Sequence, residues 1–231
     1  MIKENKAKDI TKNDLPFDYK THLAHRKETD TLWHYDPSVS DAADNKVKKI
    51  FIPKTLYSAI EDFAENIPKE YVGTIFESDN IDNYMNDVVI WKKLDHVYHG
   101  YRKANTEVSY IRMSYEDSPD FLQEIMEQVD LDDPCIGVIK LPPGNIIPWH
   151  YDSLVHFKKE RKNSNVEIRR SLVFPFQWDW GHIFQIGNNV LSNWKGGESY
   201  LIPKYRYHLT VNAGIKDFYM LAVTGELKSK F

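Results

Sequence analysis

Over residues 55–67, apolar side chains recur at helical spacing: Leu56, Ile60, Phe63, Ala64 and Ile67, with Pro68 following. The period predicts a helix with one buried face, closed by the proline. A second helix is predicted over 118–129. Ser118 suits the N-cap, Pro119 the first helical position, and Asp120 faces the positive end of the helix dipole. Phe121, Leu122, Ile125, Met126 and Val129 then form its apolar face. After Pro134 the texture changes to short β-type runs at 135–141, 146–151, 171–176, 183–186, 199–202, 207–211 and 218–224. Pro142-Pro143-Gly144, Gly187-Asn188-Asn189 and Gly196-Gly197 punctuate them with turn chemistry. Many short strands of this kind predict an antiparallel sandwich or barrel, and helices followed by strands predict an α+β chain.

Residues 1–50 are rich in Lys, Asp, Asn and Thr and show no period. They read as an irregular N-terminal arm whose Phe17, Trp33 and Tyr35 need a surface to pack on. The remainder, 51–231, reads as a single domain, with helices in 51–133 and a barrel core in 134–226. No internal repeat of fixed period is present.

The chain has 231 residues, which suits one larger domain, and 42% hydrophobic residues, which suffices for a core and excludes a wholly disordered protein. Thirty Lys and Arg against 34 Asp and Glu leave a net charge of −4, which argues against a general binder of phosphate backbones. No run approaches the roughly 18 apolar residues of a membrane span. The start, Met1-Ile2-Lys3-Glu4-Asn5-Lys6, lacks the apolar segment of a signal peptide. A single cysteine, Cys135, excludes an internal disulfide and a cysteine zinc cluster. A reducing, cytoplasmic setting is expected.

The chemistry concentrates in Pro148-Trp149-His150-Tyr151-Asp152. Two residues apart on a strand, His150 and Asp152 leave the same face. An imidazole and a carboxylate there make two-thirds of the facial triad that holds non-heme Fe(II). The third ligand must then come from a strand distant in sequence, and His208 meets that requirement. His182, in Trp178-Asp179-Trp180-Gly181-His182, is a rival, although its short separation from Asp152 disfavours a barrel crossing. The triplet alone is weak, because His34-Tyr35-Asp36 repeats it in the polar arm. Trp149, Trp178, Trp180 and Trp194 read as core or rim packing. His156 and the basic run after Phe157 read as a solvated loop flanking the site.

The run Leu141-Pro142-Pro143-Gly144-Asn145-Ile146-Ile147-Pro148-Trp149-His150-Tyr151-Asp152 resembles the approach to the metal site in Fe(II)/2-oxoglutarate-dependent oxygenases. Within that superfamily it is most similar to the aspartyl/asparaginyl β-hydroxylase and free-proline hydroxylase group. Trp194-Lys195-Gly196-Gly197-Glu198-Ser199-Tyr200, with His208 and Asn212 beyond it, resembles that group's second metal strand. The resemblance covers about 135–225.

It implies a double-stranded β-helix, a cupin-like jelly roll with iron at its mouth. It also implies Fe(II), 2-oxoglutarate and O2 as the reaction partners, with His150, Asp152 and His208 as catalytic metal ligands. The implied reaction hydroxylates an unactivated C–H bond of a free amino acid or peptidyl side chain while 2-oxoglutarate is decarboxylated to succinate. Retention of the Asp152 carboxylate implies hydroxylation rather than halogenation.

The distal carboxylate of 2-oxoglutarate needs a cation, and an arginine fork suits it. Ile168-Arg169-Arg170-Ser171 places two at the start of an apolar strand. Arg169 is preferred because it shares strand parity with Ser171 and Val173, and Arg170 is second. The group carries a further arginine about ten positions after its distal His, where this chain has Phe218. Lys216 is the substitute within reach, while Asn212 either bonds the co-substrate or holds a turn. The arginine-rich signature of oxidative nucleic-acid demethylases is absent, so a small-molecule or peptidyl substrate is expected. The alternative is a non-catalytic jelly-roll module that binds a metal or ligand.

Overall fold

The computed structural model describes residues 47–68, 72–74, 105–150, 152, 154, 157, 167–187, 189–202 and 208–227. The 1–46 part of the expected arm, including His34-Tyr35-Asp36, lies outside them, as do the Trp149 side chain and His156.

Among the described residues, eleven strands and two α-helices follow in the order β1 (Val47–Lys49), α1 (Tyr57–Glu65), β2 (Val72–Thr74), β3 (Glu107–Ser114), α2 (Asp120–Glu127), β4 (Leu131–Leu141), β5 (Ile146–His150), β6 (Ile168–Phe174), β7 (His182–Ile186), β8 (Asn189–Leu191), β9 (Glu198–Ile202), β10 (His208–Asn212) and β11 (Phe218–Leu227). The large sheet runs β1-β9-β6-β11-β4-β3-β2 and the small one β5-β10-β7-β8. From β4 onward the chain passes back and forth between the two sheets, and every described pairing is antiparallel. That exchange is the jelly-roll path of a double-stranded β-helix.

Alternation along the strands divides the core into two. One face of the large sheet, with Ile136, Val138, Val173, Leu221 and Val223, packs against Ile60 and Ala64 of α1 and Leu122, Ile125 and Met126 of α2. The other face, with Leu141, Leu172, Phe174, Phe218, Met220 and Ala222, meets Phe184 and Ile186 of the small sheet. Side chains two apart on a strand share a face, so an even or odd position settles whether a residue meets the helices or the barrel interior.

Several expected boundaries move. Pro119, not Ser118, occupies the N-cap position of α2, and no side chain caps it. The Ser118 hydroxyl instead donates to the Ser114 carbonyl at 2.6 Å. Strand β4 begins at Leu131, before Pro134. A register shift against β11 and a left-handed Asp133 (φ 45°) mark a bulge, where a proline without an N–H is tolerated. Strand β3 was not expected, so the helices do not simply precede the strands. Val47–Lys49, at the end of the expected irregular arm, forms an edge strand on β9.

Candidate metal centre

Strand β10 carries the candidate ligand distant in sequence, His208, to the side of β5. In its register with β5, His208 lies directly opposite His150, and the ring centroids are 4.2 Å apart. A register shift separates that pair from the next, Thr210 opposite Ile147. A bulge of this kind re-aims a side chain next to a site; the extra residue lies on β5, between Ile147 and His150, and both histidines are buried. One donor atom from each of His150, Asp152 and His208 lies within 4.8 Å of the others. His208 Nε2 is 3.7 Å from Asp152 Oδ2. Donors that share one ion at about 2.1 Å stand roughly 3–4 Å apart, so little contraction is required.

Protonation favours ligation. The Pro148 carbonyl is 2.7 Å from His150 Nδ1 and accepts its proton, which leaves Nε2 as the donor to a metal. Burial, reinforced by His208, lowers the His150 pKa to about 3, so the ring is neutral at pH 7. Burial alone would raise the Asp152 pKa, but the Arg170 charge, followed by the two histidines, holds it below the usual carboxylate range. The Arg170 Nη1 to Asp152 Oδ2 ion pair measures 2.9 Å. A carboxylate beside two buried imidazoles, all three donor atoms within 4.8 Å of one another, fits a divalent cation.

Strand parity sends the two arginines to opposite faces of the sheet. Arg169 does share a face with Ser171 and Val173, but Val173 belongs to the helix-facing core. Arg169 accordingly pairs with Glu167. Arg170, in line with Leu172 and Phe174, enters the interior. There its Nε donates to Thr224 Oγ1 at 3.0 Å, and Tyr110 and Cys135 contribute to its electrostatic environment. Thr224 was not anticipated, although a polar residue at an inward position of an otherwise apolar strand was the available signal. Tyr110 is seated against Gly137, where a Cβ would lie 2.5 Å from the ring.

The remaining candidates collect at the other end of β10. Asn212 donates to the carbonyls of Leu141 and Lys216, both at 2.8 Å, and accepts from the Gly214 amide; it holds a turn. Lys216 is exposed and pairs with Asp179 at 2.6 Å, at the far end of the barrel from His208. Phe218 is buried against Phe174, Trp194 and His182. His182 pairs in register with Asn212, four residues along β10 from His208, which removes it as a third ligand. Trp194 is core, whereas Trp180 is 80% exposed and packs at the rim on the Trp178 ring, centroids 5.1 Å apart.

Fold and site together define a double-stranded β-helix protein with a candidate His-Asp-His metal centre. No family model matches the chain, and no curated protein matches it. Among solved structures, it is similar to a Pseudomonas putida prolyl-4-hydroxylase at 11% identity and TM-score 0.48, covering 80% of this chain and 95% of that one. It is also similar to the Schizosaccharomyces pombe Cnp3 cupin domain at 9% identity and TM-score 0.33, covering 52% and 64%. A Cupin 2 conserved barrel domain protein from Salinispora arenicola is similar at 13% identity and TM-score 0.31, covering 51% and 75%.

Proposed function

We propose that the chain is an Fe(II)- and 2-oxoglutarate-dependent oxygenase that hydroxylates a free amino acid or a peptidyl side chain. The observation that carries this reading is the convergence of His150, Asp152 and His208 within 4.8 Å at one end of the barrel interior, against a buried arginine. Such a triad leaves coordination positions open for a bidentate 2-oxo acid and for O2, and iron so held supplies C–H oxidation.

In this reading the chain binds, orients and shields. His150 presents a neutral imidazole whose tautomer Pro148 fixes, and His208 presents a second ring opposite it. Arg170 keeps Asp152 ionised, and Thr224 holds the guanidinium in place. A guanidinium has five N–H donors, so Arg170 retains capacity for the co-substrate carboxylate after both contacts.

A second reading, a metal-binding jelly-roll module without oxygenase activity, has one observation in its favour. At the position where the resemblance calls for an arginine stands Phe218, and the interior around it is filled by Phe174, Phe184, Leu141 and Met220. Succinate release from 2-oxoglutarate, measured with Fe(II), ascorbate and a panel of amino acids and peptides, separates the two. The oxygenase produces succinate and a product heavier by one oxygen; the binding module retains iron and produces neither. His150→Ala and His208→Ala are each expected to lose Fe(II). Unchanged iron stoichiometry in either variant refutes the ligand set.

A further inference from the structure

A cleft of about 680 Å³ lies away from the metal centre. It opens between α1, the loop at Phe176–Asp179 and the turn at Ile215–Asp217. His182 and Phe218 form part of its wall, and they belong to the end of the barrel marked by Asn212. His208 stands at the opposite end of β10, about 13 Å away along a four-residue rise. The two sites therefore stand independently.

Aromatic rings line the cleft. Tyr57, Phe176 and Tyr219 form a continuous edge-to-face series with centroids 5.2 and 5.4 Å apart, and Trp178 adds further surface. Carboxylates ring it: Glu61, Asp179 and Asp217 line the cleft, and Glu65 accepts from the Tyr219 hydroxyl at its edge. Two lysines answer these four acids. Lys140 lies between Glu65 and Asp217, and Lys216 pairs with Asp179. Glu61 has no ion pair among the described residues. Burial lowers the His182 pKa and keeps its ring neutral, so the surroundings retain net negative charge.

Ring faces attract cations through their quadrupole, and apolar walls accept an alkyl stem. A volume of this size is in the range of small-molecule sites. We propose that this cleft binds an organic cation, an amine or guanidinium carried on an apolar stem, with Glu61 as its carboxylate partner. Free amines and the Lys or Arg side chains of a peptide share that chemistry.

Calorimetric titration of the full chain with arginine amide tests the proposal, with citrulline amide as the neutral isostere. Arginine amide is expected to bind saturably and citrulline amide not. Glu61→Gln is expected to weaken binding about fivefold or more, and Tyr57→Leu similarly by removing a ring face. Both variants should retain the wild-type circular dichroism spectrum and Fe(II) stoichiometry. A parallel arm with N-acetyl-Gly-Arg-Gly-amide identifies the source: tighter binding than arginine amide assigns a protein side chain, equal or weaker binding a free amine. Equal binding of the citrulline analogue, no saturation with arginine amide, or unaltered affinity in folded Glu61→Gln overturns the site.

Discussion

Arg170 is held from two sides, by Asp152 at 2.9 Å and by Thr224 at 3.0 Å, in the interior of the barrel. Removing one partner of a buried charge pair costs several kcal/mol, because the other is left without compensation. Under the proposed oxygenase reading, Arg170→Met is therefore expected to raise the 2-oxoglutarate concentration for half-maximal succinate release at least about tenfold. Arg169→Met, which loses only the Glu167 pair, should leave that value within about twofold. Equal effects in the two variants would contradict the assignment to Arg170. The His-x-Asp pair was legible in the sequence because both ligands lie on one short segment. The choice of arginine was not. Parity separates Arg169 from Arg170, but only the packing of α1 and α2 on one side of the sheet decides which parity faces inward.

At the scale of elements, the turn before β9 controls two junctions. Gly197 adopts φ 86°, and its amide bonds Phe174 O at 2.8 Å while its carbonyl accepts from Ile50 at 2.7 Å. A Cβ there would lie 2.1 Å from the Ile50 carbonyl oxygen. Backbone collision and left-handed strain combine, and Gly197→Ala is expected to cost about 2–4 kcal/mol in urea unfolding. A loss below about 0.5 kcal/mol would show that the segment leading from β1 moves aside freely. The pair Gly196-Gly197 announced a turn in the sequence, whereas the partner across it, Ile50, could not be read there. Strand β3 escaped notice for a related reason. Its inward positions include Tyr110 and Arg112, so the apolar alternation that marks a strand is broken on the functional side.

For the whole molecule, a charged cluster ties α1 to the large sheet. Glu65 accepts from Lys140 and from the Tyr219 hydroxyl, and Lys140 also pairs with Asp217 at 3.3 Å. The Lys140 hydrogen bond, then that of Tyr219, lowers the Glu65 pKa from its usual 4.5. Its contribution to stability is present above pH 4.5 and disappears as pH falls through the lower folded value. Burial opposes the charge of Lys140, but Glu65 and Asp217 prevail and raise its pKa above 10.5. That contribution is present below pH 10.5 and disappears as pH rises through the higher folded value. Glu65 is partly exposed, so screening limits its worth. Glu65→Gln is expected to cost about 0.5–1 kcal/mol at pH 7 and nothing once the wild-type carboxyl is protonated. Urea unfolding at both pH values checks this, and a pH-independent difference would contradict it. Among the described residues, no helix is long and apolar enough to cross a membrane.

The sequence by itself determined the helical stripes, most of the later strands, and the residue types of the metal set, because each is written in local period or short spacing. The tertiary structure alone decided that His208 lies opposite His150, that Arg170 and not Arg169 enters the barrel, and that Asn212 and Lys216 stand at its far end. Those outcomes depend on which strands become neighbours and which sheet face the helices cover, and both are fixed by contacts between residues far apart in the chain.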